Sequence, residues 1–488
     1  MVIDPVFETA TRHHQAGRLR EAETLYRQIL AVQPDHADAL HRLGLVQLQK
    51  GDIDGGVQLI KRAVSLNPGR ADFYGDLGSA LVTSGHYQPA IAALRRAIAL
   101  APDYFQAWYS LGWALTMNNQ AQEAVGVSRQ ALKLRPDSGD ACFVLAMALE
   151  SNRQVDEALH TYRRAIALNP DLVGAHVRCG MLLLKTGQWA EGWQEYEWDH
   201  GIHDQRSFAQ PQWDGSPAPG KVLLIYPSRR LGDTMTYVRF LPLVRDRGVE
   251  LMIECPPPLL ALFRASFPDL SFLPQGERLP HFDLRLRFES LPRVLGITQE
   301  NLPTSASMPY LRVPPDRLGK WSGRVPQDGT FHVGLVWAGS NSIFRSSSLG
   351  IFAPLAAVAG VRFFSLQKGP ESSQVPPAGL QLVDYTAELD DFADTAALVQ
   401  QLDLVLCVDT SVVHLAGAIG KPVWVLVPQL SDRDYPLWPL DRSDSPWYPK
   451  IRLFRQRQPG DWDIPVQEMT EALKKFLLGA LPWVNKNG

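Results

Sequence analysis

The alternation of apolar and polar positions divides the chain into two regimes. Over the first 200 residues, apolar stretches closed by a proline return at a fixed interval: AVQP ends at Pro34, SLNP at Pro68, ALAP at Pro102, KLRP at Pro136 and ALNP at Pro170, each 34 residues from the last. After Ser207 the pattern changes to short, continuous apolar runs, KVLLIYP, VELMIECP and FDLRLRF, separated by helix-length segments such as TMTYVRFLPLVRDRG. Runs of that kind read as buried strands alternating with helices, which implies a parallel sheet covered by helices. Beyond a polar stretch, VPPDRLGKWSGRVPQDG, come FHVGLVWAG, VRFFSLQKG, LDLVLCVD and KPVWVLVP, a second series of the same type.

A 34-residue period is that of the tetratricopeptide repeat (TPR), a helix–turn–helix unit that buries its apolar face only by stacking on its neighbours. The interior of each period agrees. Small residues recur at one helix crossing (Gly44, Gly78, Gly112, Ala146, Gly180) and at the next (Ala90, Ala124, Ala158), while Gly17, Gly51, Gly85 and Gly187 mark turns. Five repeats are clear, and a sixth runs from about Asp171 into WQEYEW. The first helix of each repeat lines the concave face, so Tyr109, Trp113, Phe143 and Met147 are expected there as anchors for a partner protein, with inter-repeat packing as the alternative. The predicted architecture is thus α + α/β: a TPR α-solenoid over 1–206, a Rossmann-like domain over 207–325 and another over 326–488. The Pro-, Gly- and Ser-rich SFAQPQWDGSPAPG reads as the first linker.

Composition narrows the function classes. A formal charge of −3 over 488 residues gives no general field for nucleic acid or an anionic membrane. Cys142, Cys179, Cys255 and Cys407 form no CxxC pair and read as free thiols of a reducing compartment. The start carries no secretory pattern and no apolar run is long enough to span a bilayer, so a cytoplasmic protein is expected. Neither GxGxxG nor GxxxxGK[ST] occurs, leaving dinucleotide oxidoreductase and P-loop ATPase chemistry unsupported.

Candidate chemistry sits at three strand ends. After KVLLIY come Ser228, Arg229 and Arg230, then Gly232 and Asp233 at a helix start. Asp233 is either a helix cap or a general base toward an acceptor hydroxyl. After FHVGLVWAG, the loop with Ser340 and Arg345 suits a diphosphate or is an ordinary polar loop. Gln367 and Lys368 follow FFSL, Lys368 as a candidate counter-charge. The third cluster, Asp409, Thr410, Ser411, Val412 and His414, enters a helix whose first amides form a ready anion site. His414 is either a ligand contact or a hydrogen-bonded core residue, and Asp409 is expected to cap the helix or accept from sugar hydroxyls. The DxD triplets DID, DRD and DWD close no strand, and no metal or other cofactor is expected.

Taken together, PQWDGSPAPGKVLLIYPSRRLGDTMTYVRF, GLVWAGSNSIFRSSSLG, FFSLQKGPE and DFADTAALVQQLDLVLCVDTSVVHLAGAIGKPVWVLVP behind such an array resemble the bacterial tetratricopeptide–glycosyltransferase proteins. Their catalytic half has the GT-B fold and is similar to lipopolysaccharide heptosyltransferases. Their organisation is similar to that of protein O-linked N-acetylglucosamine transferases. The resemblance implies an inverting, metal-independent glycosyltransferase with Asp233 as base, Asp409, Thr410, Ser411 and His414 on the donor diphosphate, and Arg345 stabilising the leaving group. A nucleotide-sugar donor is expected, and a protein acceptor on the repeats, with flagellin or another surface protein as the candidate class. Two departures stand out: Ser228-Arg229-Arg230 replaces the Glu-Gln-Gly frequent in such relatives, and the asparagine ladder of the O-linked N-acetylglucosamine transferase groove is missing. Rival readings are a scaffold with a decayed transferase half and a heptosyl-type enzyme of glycolipid assembly.

Overall fold

The computed structural model describes residues 3–199, 206–227, 230–303, 308–339, 347–429, 437–458 and 460–479. By packing, the chain forms two compact units, Met1–Ala175 and His176–Gly488.

Six helix pairs follow the 34-residue period: α1 (Ile3–Gln15) with α2 (Leu19–Val32), α3 (Ala37–Gln49) with α4 (Ile53–Leu66), α5 (Ala71–Thr83) with α6 (Tyr87–Leu100), α7 (Phe105–Met117) with α8 (Ala121–Leu134), α9 (Gly139–Ser151) with α10 (Val155–Leu168), and α11 (Val173–Lys185) with α12 (Trp189–Tyr196). The small residues at the crossings are sterically required. A Cβ on Gly78 would stand 2.4 Å from Leu94, and one on Gly44 would stand 2.6 Å from Ile60. Gly17, Gly51, Gly85 and Gly187 adopt positive φ in the turns, and Asn119 and Arg153 take φ 60° at the equivalent points of the fourth and fifth repeats.

The sixth pair departs from the other five. Trp189, Trp193 and Tyr196 are buried in the α/β core, where Trp189 stacks on Trp447 at 5.3 Å and Trp193 donates its indole N–H to the Ile297 carbonyl at 3.1 Å. The closing repeat therefore belongs physically to the α/β unit, and the compact units part at 175/176, ahead of the compositional change at Ser207.

That unit holds two all-parallel sheets. The first has strands β1 (Val222–Tyr226), β2 (Glu250–Cys255), β3 (Ser271–Pro274) and β4 (Leu284–Arg287), ordered β3-β2-β1-β4. The second has β5 (Phe331–Val336), β6 (Val361–Ser365), β7 (Leu382–Asp384), β8 (Leu404–Val408), β9 (Val423–Val427) and β10 (Ile451–Arg455), ordered β10-β9-β8-β5-β6-β7. Their helices are α13 (Leu231–Tyr237), α14 (Leu241–Arg245), α15 (Leu260–Ser266), α16 (Leu291–Val294), α17 (Pro315–Trp321), α18 (Phe392–Gln401), α19 (Ser411–Ala418) and α20 (Asp463–Leu477). Strand β8 is buried throughout, as its unbroken apolar run requires of a strand covered on both faces. The pair of Rossmann-like sheets is consistent with a GT-B arrangement.

Both stretches read as connectors carry packed structure. Trp213 is buried, its amide donates to the Arg285 carbonyl at 2.9 Å, and Gln212 bridges Arg285 along the β4 edge. In the second stretch, Trp321 is buried and donates its indole N–H to Asp394 Oδ1 at 2.9 Å, while Lys320 reaches Asp394 Oδ2 at 2.9 Å.

Candidate functional site

The two sheets meet through the helices that follow β1 and β8. Gly232, in the first turn of α13, lies so close to α19 that a Cβ there would stand 2.8 Å from His414 Cδ2. Only glycine permits that approach. His414 is buried: its Nδ1 lies 3.0 Å from Thr236 Oγ1 and 3.1 Å from the Tyr448 hydroxyl, and its ring stacks on Trp438 at 5.7 Å. Burial, reinforced by Tyr310 alongside, pushes the Tyr448 phenol well above its ordinary range, so it stays protonated and able to donate. Arg239 extends the joint, donating to the Trp447 carbonyl at 3.0 Å and to the Tyr310 hydroxyl at 2.9 Å. Sequence reasoning did not single out Thr236, Arg239, Tyr310 or Tyr448. The one signal in the chain is Thr236, four residues and hence one helical turn beyond Gly232.

Asp233 is the third residue of α13 and is buried. The N-cap position belongs to Arg230 rather than to Asp233. Tyr196, with the carboxylates of Asp233 and Asp199, pushes the Arg230 guanidinium above its ordinary range against the opposing effect of burial. Burial in turn raises the Tyr196 phenol, whose hydroxyl accepts from Arg230 Nη1 at 3.4 Å. Asp233 thus sits in the field of a permanent cation and beside a protonated phenol.

On the second sheet, Thr410 and not Asp409 is the N-cap of α19, and its side chain makes no capping bond. The Thr410 hydroxyl is buried without a hydrogen-bond partner. Asp409 is buried, Ser411 half-buried, and Gly339 at the end of β5 packs against both Thr410 and the Asp409 carbonyl. The Val412 side chain lies in the apolar core, and its backbone belongs to the first turn of α19.

Gln367 is engaged within the protein. Its Oε1 accepts from the Trp337 and Ala338 amides at 3.1 and 2.9 Å, and its Nε2 donates to the Ala338 and Lys368 carbonyls at 3.1 and 3.0 Å. Two acceptor sites and two donor sites exhaust a carboxamide, so Gln367 fastens the end of β5 and has nothing left for a donor sugar. Lys368 Nζ donates to the Thr386 and Leu389 carbonyls at 2.7 and 2.9 Å, leaving one N–H. Ser340, Arg345, Ser228 and Arg229 lie outside the described residues.

In the repeat unit the four proposed anchors separate. Tyr109 and Trp113 are half-buried, whereas Phe143 and Met147 are buried in the packing between repeats, the alternative expected for them. Phe143 packs between Trp113 and Tyr162, both at 6.1 Å between ring centroids. All four cysteines are buried. Among the described residues no three His, Cys, Asp or Glu side chains gather as a metal site, and no helix is long and apolar enough to cross a membrane.

Comparison with known proteins agrees on the repeats. Residues 7–71, 76–141 and 139–172 match tetratricopeptide-repeat families. Protein FlbA of Caulobacter vibrioides is 27% identical over 330 residues, covering 60% of this chain and 54% of its own length. The chain thus spans about half the length of that curated relative. Solved structures similar to it include MamA, with 25% identity, TM-score 0.32 and coverage of 34% of this chain and 92% of that one. Another is YrrB, described as a TPR protein with an unusual peptide-binding site, with 22% identity, TM-score 0.33 and coverage of 35% and 88%.

Proposed function

We propose that the α/β unit is an inverting glycosyltransferase that moves a sugar from a nucleoside-diphosphate donor to a hydroxyl, and that the repeats present a protein acceptor bearing that hydroxyl on Ser or Thr. The observation that carries this reading is the contact of Gly232 with His414. It packs α13, which carries Asp233 and follows β1, against α19, which Thr410 caps and which follows β8; carboxyl ends of parallel strands are where open α/β folds take their ligands.

In this reading Asp233 removes the acceptor proton as the oxygen attacks the anomeric carbon, and the bond from that carbon to the diphosphate oxygen breaks. The electron pair leaves with the diphosphate. The Thr410 and Ser411 hydroxyls and the first amides of α19 meet that growing charge, already oriented before reaction. Arg230 and Tyr196 hold the Asp233 turn, while His414 acts from behind the tip, fixing α19 against α13 through Thr236 and Tyr448. Half-buried Tyr109 and Trp113 are the remaining aromatic anchors for a protein acceptor on the array.

The test is turnover of a nucleotide-sugar panel, with release of nucleoside diphosphate measured for the wild type, Asp233→Asn and Thr410→Val. Release that disappears in Asp233→Asn while nucleotide binding persists supports the enzyme. A second reading, a scaffold with a transferase-shaped but inactive half, draws on the engagement of Gln367 and His414 with protein partners. Nucleotide binding by no variant, the wild type included, would select that reading.

A further inference from the structure

Among the described residues, two polar groups just past the carboxyl ends of strands in the second sheet are buried and without a hydrogen-bond partner: the hydroxyl of Thr410 and the side-chain Nε2 of Gln456. The strand register puts them in one row. Val408 pairs with Leu426, and Val427 pairs with Arg455. Continuing those registers past the strand ends sets Thr410 beside Pro428 and Pro428 beside Gln456. Side chains alternate between faces, and Val408, Leu426 and Phe454, each two residues earlier, share one apolar cluster. Thr410, Pro428 and Gln456 therefore cap the same face, a buried proline ring between two unsatisfied polar groups. Two strand spacings separate the outer pair by about 10 Å.

Gln456 is only 2% exposed, and its backbone amide donates to the Val427 carbonyl at 3.0 Å, which fixes its place at the strand end. Its neighbour Arg455 points to the other face and donates to the Pro428 and Pro439 carbonyls. Ser365 also carries a buried, unbonded hydroxyl, but it pairs with Leu335 and, through it, stands level with Leu406, two layers deeper than this row. An amide nitrogen shut from water with no partner is unfavourable and rare in native folds, and at the carboxyl edge of an open α/β sheet, where such folds take their ligands, it marks a contact still to be made.

We propose that Gln456 reads the nucleoside end of the donor. Its Nε2 donates to an acceptor atom of the base, the Pro428 ring floors the ribose, and Thr410 with the first amides of α19 holds the diphosphate. The span of the row is of the order that separates base from diphosphate in an extended nucleotide. This inference rests on the donor reading above and adds to it a residue that distinguishes a nucleotide from bare pyrophosphate.

The experiment is calorimetric titration of the full chain with UDP, GDP, ADP and inorganic pyrophosphate. For the wild type, at least one nucleotide binds more tightly than pyrophosphate. Gln456→Leu weakens that nucleotide about tenfold and leaves pyrophosphate unchanged, whereas Thr410→Val weakens both. Should Gln456→Leu melt at a lower temperature than the wild type, Gln456→Met, closer in length, carries the same comparison. An unchanged nucleotide affinity in the Gln456 variants, or equal losses for nucleotide and pyrophosphate, overturns the assignment while a Thr410 effect keeps the donor reading alive. Equal wild-type affinity for nucleotide and pyrophosphate also overturns it. A wild type that binds none of the four probes overturns both readings.

Discussion

The ends of β6 and β8 carry polar residues of the same general kind and use them in opposite ways. At the end of β6, all four hydrogen-bonding positions of Gln367 go to backbone groups of Trp337, Ala338 and Lys368. At the end of β8, the Thr410 hydroxyl is enclosed and bonded to nothing, although it occupies a helix N-cap where a threonine ordinarily bonds the first turn. A polar residue at a strand end is thus no sign of a ligand in itself. What separates a structural strut from a binding group is whether its bonding capacity is already filled by the protein.

Substitutions can break or sharpen that contrast. The largest effect belongs to Asp233→Asn, expected to lower turnover on the order of 10²–10⁴-fold with nucleotide affinity retained, measured by initial rates beside calorimetry. An unchanged rate would leave the turn of α13 with no chemical role. Next comes Phe143→Ala, expected to cost about 3–5 kcal/mol in urea unfolding as a filled core position. Tyr109→Ala, one repeat earlier, should cost clearly less and weaken binding of a protein partner; equal costs would erase the difference between the two positions. Gln367→Leu strands the Trp337 and Ala338 amides and should lose about 3 kcal/mol, read by the same unfolding experiment. Thr410→Val is the smallest in stability, within about 0.5 kcal/mol of wild type, because no protein bond is lost. A large destabilisation there would mean that the hydroxyl is a cap after all.

Acid titration probes a carboxylate whose bonding capacity is filled, Asp394 in α18. Burial would raise the Asp394 carboxyl, but the bonds from Lys320, the Trp321 indole and the Asp390 amide, with Arg317 nearby, bring it below its ordinary value of 3.8. A lowered folded pKa stabilises the fold fully above the unfolded value and loses that contribution as pH falls through the lower, folded one. Asp394→Asn should therefore be less stable than wild type near pH 7, with the gap closing only below about pH 4. A gap independent of pH across that interval would remove the ionic part of the explanation.

How much of this the chain disclosed depends on repetition. The array was legible because each steric demand recurs every 34 residues, so one glycine at a crossing is checked by three others and by Ala146. The strands were legible because burial on both faces leaves an unbroken apolar run. Which aromatic faces outward was not legible: Tyr109 and Phe143 occupy the same place in successive repeats, yet Phe143 sinks because the next repeat offers it Gly174, whereas Tyr109 meets Asp140. The DTS tip and the LGD turn announced themselves as motifs. The Thr236–His414–Tyr448 joint did not, since its members lie 178 and 34 residues apart and share no pattern. Trp213 and Trp321, each inside a polar stretch, were the signs that both connectors are packed.

The tryptophans of the closing repeat have a practical corollary for anyone dissecting the molecule. Because Trp189 and Trp193 are wedged among Trp447 and Tyr237, an α/β fragment begun at Ser207 would start life with a hole in its interior and a wet indole-shaped gap. A cut before Val173 spares them. Shuffling the helical front end onto another α/β unit would have to carry this last hairpin along, so the two halves of the protein are not interchangeable parts at the boundary where their compositions change.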